Sequence, residues 1–287
     1  MVEEPAPGLC ADWLNGWLAA VGVTVLLPDV LLSWSQEPVP CAAFRHAGDR
    51  PLAERIAETL PNEDALRRSV LAQLGRKVDL DSFHAAAEQS RARCDPTAAL
   101  SVSDLGSGKR FKPHDLPHGG FDPGAPQGTT LATRVIKCRG LLGQNPVQRI
   151  GDTLEGAAVR ENANGLGFDI RRISSGVQPG ADKVVDPAIE CLCFAALEIF
   201  PVRGNGHQVL QRGWSKEAWR RGAFVWPVWA DPLDRWSIDA LLDCFYADPR
   251  QCGRASIGIH GVFADVPYRG TGSSDPTRGY GSERLVW

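Results

Sequence analysis

The sequence predicts an α+β fold: mixed helices with small, largely antiparallel sheets and no regular doubly wound pattern. Three observations predict it. The stretch VVDPAIECLCFAALEIFP has the clearest helical periodicity in the chain. Residues 51–93 are rich in Ala, Leu, Glu and Arg, which favour helix. Short β-branched and aromatic runs occur elsewhere in no βαβ order, which argues against a parallel sheet.

In ADWLNGWLAAVG, Trp13, Leu14, Trp17, Leu18 and Val21 recur at helical spacing, with Asp12 as the expected N-cap and Gly22 as the expected stop. VTVLL and VLLSWS then read as strands parted by Pro28-Asp29, and CAAFRH as a third strand. The next segment divides into three helices, PLAERIAETL, NEDALRRSVLAQL and DSFHAAAEQSRAR, broken at Pro61 and Gly75. AALSVSDL returns to strand. Residues 106–128 hold six glycines and four prolines, a loop too long for mere connection. This loop separates an N-terminal part, 1–105, from a C-terminal part, 129–287.

Residues 129–158 are helical with a break at Asn145-Pro146, and NGLGFDIRRI turns into a strand. The core helix at 186–200 is capped by Asp186, has Pro187 at its first position, and is ended by Pro201. Ile189, Leu192, Cys193, Ala196, Leu197 and Phe200 give it a wide apolar face. GAFVWPVW is a strand in which Pro227 demands an edge or a bulge. LDRWSIDALLDCFY is the next helix, with Leu233, Trp236, Leu241, Leu242 and Phe245 on its inner side. Trp226, Trp229 and Trp236 are expected to converge on the core helix as structural anchors rather than as catalytic groups. ASIGIHGVFA and ERLVW are closing strands, with the loop RGTGSSDPTRGYG between them.

The chain has 287 residues, is 43% hydrophobic and 23% charged, and carries a net charge of -3. That balance excludes a global attraction to nucleic acid or membrane. No apolar run reaches the roughly 18 residues of a membrane span. The acidic start MVEEPAPGLC lacks the basic region of an export signal, so a cytoplasmic location is expected. The eight cysteines are then expected to be reduced, buried small hydrophobes.

Charge is unevenly spread. Residues 1–66 hold 3 basic and 10 acidic groups, residues 107–149 hold 7 and 2, and residues 203–221 hold 5 and 1. The last segment interleaves Arg203, Arg212, Lys216, Arg220 and Arg221 with Trp214 and Trp219. Guanidinium and ammonium groups neutralise phosphate, and an indole face stacks on an unpaired base. Arg171 and Arg172 end the preceding strand and extend the same candidate nucleic-acid surface. A rival site lies in PHDLPHGGFD, where His114, Asp115, His118 and Asp122 have the chemistry of metal ligands and suit a metal-dependent hydrolase. Lys109, Arg110 and Lys112 beside it disfavour a cation. A third alternative is a structural bridge that meets protein partners without touching nucleic acid. Neither GSGKR nor NGLGF completes a phosphate-binding fingerprint, and no Gly-x-Ser-x-Gly elbow is present, so no cofactor and no catalytic residue are assigned.

Two blocks carry a resemblance. The opening GLCADWLNGWLAAVGVTVLLPDVLLSW, and later DPAIECLCFAALEIFPVRG, QRGW and FVWPVWADPLDRWSIDALL, resemble large-subunit-like or accessory proteins of type I-G (formerly I-U) CRISPR loci. The chain differs in having Ala196 where that pattern has glycine, and in being shorter than a usual large subunit. The resemblance implies a non-catalytic subunit of an RNA-guided surveillance complex, in which base pairing reads the sequence and protein holds backbones. Its implied partners are other effector subunits and guide RNA or target DNA, with no membrane.

Overall fold

The computed structural model describes residues 1–68, 131–163, 165–166, 184–200, 223–247 and 258–265. It also describes short pieces at 203–204, 209–210, 212–215, 267–269, 278–280 and 284–285, and positions 85, 88, 89, 92 and 93. The architecture is α+β, with every strand pair antiparallel among the described residues. The strand expected at AALSVSDL, the loop 106–128 and most of NGLGFDIRRI lie outside the described residues.

The first three strands are β1 (Val2–Cys10), β2 (Leu31–Trp34) and β3 (Cys41–His46), in the order β1-β3-β2. The sequence does not announce β1, because Pro5 and Pro7 disguise it. Both prolines are tolerated because β1 is an edge strand and owes no hydrogen bonds on its outer side. Its register breaks between Ala6 and Cys10, so Pro7, Gly8 and Leu9 bulge out of the ladder. The Glu4 carboxylate accepts the Leu52 N–H (3.2 Å) at the start of α2 (Leu52–Thr59).

Helix α1 (Leu14–Leu26) corrects the expected strand at VTVLL. The helix runs straight through Gly22, and every residue from Leu14 to Val25 is buried. Val23, Thr24 and Val25 favour strand locally, but burial on all sides decides for helix, which satisfies its own backbone. Gly22 is a point of close approach, not a stop. A Cβ there would stand 2.0 Å from the Leu192 carbonyl oxygen. Asp12 is not the N-cap either. Trp13 holds that position with no side-chain bond, and the Asn15 side chain accepts the Gly16 N–H at 2.8 Å. Asp12 Oδ1 is buried without a partner, and burial holds its carboxyl above the ordinary value.

The helical expectations elsewhere hold within the described residues. α2 and α3 (Glu63–Arg68) are parted at Pro61. α4 (Leu131–Leu141) and α5 (Pro146–Glu155) are parted at Asn145, with Pro146 opening α5. α6 (Pro187–Ala196) is capped by Asp186, which accepts the Ala188 N–H at 2.9 Å, and a 3-10 turn extends it to Ile199.

Two short ladders follow: β4 (Glu161–Asn162) with β5 (Val184–Val185), and β6 (Arg203–Gly204) with β7 (Val209–Leu210). The second larger sheet uses β8 (Trp214–Ser215), β9 (Ala223–Trp229), β10 (Ile259–Asp265) and β13 (Arg284–Leu285), in the order β13-β10-β9-β8. A last pair joins β11 (Pro267–Arg269) to β12 (Arg278–Tyr280). Among the described residues β8 pairs with Ala223 and Phe224, and the Val225 N–H donates to the Gly213 carbonyl at 2.9 Å, so Pro227 lies beyond the described pairing on that side. The first sheet meets the segment between β9 and α7 through Leu32 and Leu233, which exchange both backbone bonds at 2.8 and 2.9 Å.

An aromatic cluster centres on Trp17, with Phe200, Phe224, Trp226 and Trp229 at ring-centroid distances of 6.0 to 6.4 Å. Each buried indole N–H of this cluster finds a carbonyl: Trp17 donates to Pro227 (2.9 Å), Trp226 to Ala11 (2.7 Å) and Trp229 to Leu32 (3.0 Å). Trp236 departs from expectation. It lies on α7 (Arg235–Ala247), is 64% exposed, and carries the Arg235 guanidinium over its ring at 4.7 Å. The inner face of α7 is Ile238, Leu241, Leu242 and Phe245, and a residue two positions before Ile238 points away from that face. Residues on both sides of the 106–128 division share one hydrophobic core.

Gly22→Ala is expected to cost roughly 1–3 kcal/mol through overpacking, despite the better helix propensity of alanine. Urea denaturation measures it, and an unchanged midpoint would refute the close-approach role of Gly22.

Candidate functional site

The described residues bring together a polar cleft that no single stretch of sequence announces. It has a volume of about 380 Å³ and lies where the β1 bulge, the start of α1, the end of α5 and the start of α6 meet. Gly8 makes the junction possible: a Cβ there would stand 1.9 Å from the Thr153 carbonyl oxygen and 2.5 Å from the Gly156 nitrogen. Gly156 ends α5 with φ 81°, a left-handed conformation that suits glycine.

Asn15, Thr153 and Asp186 supply the buried polar wall, with Arg160 and Trp13 also lining the cleft. Thr153 Oγ1 donates to Asp186 at 2.9 Å, so the carboxylate that caps α6 also ties α5 to it. The Asn15 amide oxygen is taken by Gly16, which fixes the amide orientation. The cleft is thus lined by amide, hydroxyl, carboxylate and guanidinium groups beside the Trp13 indole.

Cys10 lines the same cleft and faces Cys41 across β1 and β3, with the sulfurs 3.7 Å apart. Burial, then the neighbouring Cys41, pushes the Cys10 thiol up to about 12. It is a neutral thiol at pH 7 and donates to the Pro7 carbonyl at 3.3 Å. The expectation that all cysteines are buried hydrophobes needs correction. Cys138, Cys191 and Cys193 are buried, Cys10 and Cys41 are half-buried, and Cys244 is exposed. The half-buried pair is hidden in the sequence for the same reason as β1, the strand that brings Cys10 to Cys41.

Arg171, Arg172, Lys216, Trp219, Arg220 and Arg221 fall outside the described residues. The backbone of Arg203 opens the β6–β7 ladder, and that of Trp214 pairs with Phe224. Arg212 is tied inward. Its guanidinium bonds the carboxylates of Asp239 and Asp243, the latter at 2.8 Å, and lies 5.4 Å over the Phe200 ring. With its side chain only 16% exposed, Arg212 anchors its turn to α7. His114, Asp115, His118 and Asp122 lie outside the described residues. Among the described residues, no group of three or more His, Cys, Asp or Glu could hold a metal ion, and no helix is long and apolar enough to cross a membrane.

In comparisons with known proteins, no family model, no curated protein and no solved structure matches the chain.

Burial raises the thiols of Cys10, Cys138 and Cys191 and the hydroxyl of Tyr246 above their ordinary values. Each favours its neutral form in the fold. Their contribution is therefore full below about pH 9, the thiol value in the unfolded chain, and is lost as pH rises through the folded values. The melting temperature is expected to fall steadily as pH rises from about 9 to about 11. Thermal melts across that range test this, and a flat profile would refute it.

Proposed function

We propose that this chain is a non-catalytic subunit or accessory protein of a type I-G CRISPR surveillance complex, holding nucleic-acid backbone beside other effector subunits. One observation carries the proposal. The two blocks that resemble that family, 8–34 and 186–242, are distant in sequence, yet their described residues pack into one core. α1 crosses α6 at Gly22, and the indole bonds of Trp17, Trp226 and Trp229 all run between the blocks. That shared packing is what supports reading the two stretches together.

Phosphate would be held by Arg220 and Arg221, with Lys216, Arg203, Arg171 and Arg172 adding charge and Trp214 or Trp219 stacking on a base. Arg212 supports that surface from within, because two aspartates already neutralise it.

The direct test is co-expression with the neighbouring genes and a guide array. Short RNA and further subunits are expected to co-purify, and elution alone and free of nucleic acid would overturn the proposal. Reversing Arg220 and Arg221 to Glu is expected to weaken binding and to flatten its salt dependence, the slope falling by roughly 1 for each phosphate released. Arg212→Ala is expected to lower the melting temperature while leaving that slope intact. The reverse pattern would relocate the interface.

A further inference from the structure

The half-buried cysteines define a covalent site. Cys10 and Cys41 are register partners at the end of the β1–β3 ladder. The Ala11 N–H donates to the Pro40 carbonyl at 2.7 Å, and the Cys41 N–H is taken by Ser35 Oγ at 3.0 Å. The two cysteines therefore occupy a non-hydrogen-bonded cross-strand position, where opposite side chains come closest. Their sulfurs stand 3.7 Å apart, so side-chain rotation can close the gap to the roughly 2.05 Å of a disulfide. The setting of the other described thiols differs: Cys138, Cys191 and Cys193 are buried, and Cys244 stands exposed on α7.

We propose that Cys10 and Cys41 form a reversible intrachain disulfide by exchange with a small-molecule disulfide of the glutathione class. Cys41 loses its proton, and its thiolate attacks one sulfur of the external disulfide. That S–S bond breaks, and one small thiolate leaves and takes up a proton. Cys10 then loses its proton and attacks the Cys41 sulfur, expelling the second small thiolate. Two protein thiols are oxidised, and one external disulfide is reduced to two thiols.

Cys10 is the resolving partner because it is held protonated and bonded to Pro7. The second step therefore quickens as pH rises above neutrality. The consequence is local. The bridge would tie β1 to β3 at the C-terminal end of the Pro7–Leu9 bulge, whose Gly8 sits against Thr153 and Gly156, so oxidation fixes one end of that wall of the cleft. The cross-link stands independently of any nucleic-acid role.

The test equilibrates full-length reduced protein in buffers stepped from reduced to oxidised glutathione. Acid quenching, alkylation and peptide mass spectrometry then follow each thiol. The expected result is a single Cys10–Cys41 cross-linked peptide pair, reversed by dithiothreitol, with a melting temperature raised by roughly 5–10 °C for a loop of this length. Cys41→Ser is expected to abolish the pair and leave Cys10 alkylatable, with unchanged circular dichroism. Recovery of both thiols free, or of separate glutathione adducts on each, while Cys244 reacts, would overturn the proposal. The wild-type chain alone separates these outcomes, so a poorly folding variant does not blur them.

Discussion

Gly22 meets the carbonyl of Leu192 with no room for a single added carbon, and the rest of the core is arranged around that contact. Two helices that approach this closely bring backbone to backbone, and their side chains must fan out to either side. Trp17 falls on one such side, where it meets Phe200, Phe224, Trp226 and Trp229. Those rings come from the end of α6 and from β9, so the crossing also sets where the second sheet lies. The indole N–H bonds then fix the register between elements, because each reaches one particular carbonyl. An indole buried without its bond would cost roughly 1–3 kcal/mol, so sliding either block past the other is penalised three times over.

Much of the fold is legible in the sequence where local chemistry and tertiary environment agree. Asp186 and Pro187 announce α6, Pro146 announces α5, and the alternation in CAAFRH announces β3. The failures occur where the environment overrides local preference. Val23, Thr24 and Val25 look like strand, but surrounding apolar groups leave the helix as the only way to satisfy their backbone. Pro5 and Pro7 look hostile to a sheet, yet an edge admits them. Trp236 looks like core because of its type, while its position on α7 turns it to solvent.

The candidate site is less legible, for a plain reason. The cleft is assembled from residues 7–16, 153–160 and 186–189, and its geometry depends on glycines that only the packed structure explains. Spacing rules find motifs whose members are neighbours in sequence, and this cleft has none. Arg212 shows the opposite error. Sequence presents it as one of five cations in a basic segment, while Asp239 and Asp243, on the helix that follows β9, have already claimed it.

The indole bonds have a temporal consequence as well as a spatial one. They join residues separated by 197 to 215 positions. A ribosome adding roughly 5–20 residues each second would therefore leave the face of α1 that carries Trp17 without its β9 partners for roughly 10–40 s. During that interval the apolar surface meant for β9 has no native cover. Transiently exposed surface of this kind is what makes a growing chain prone to aggregation.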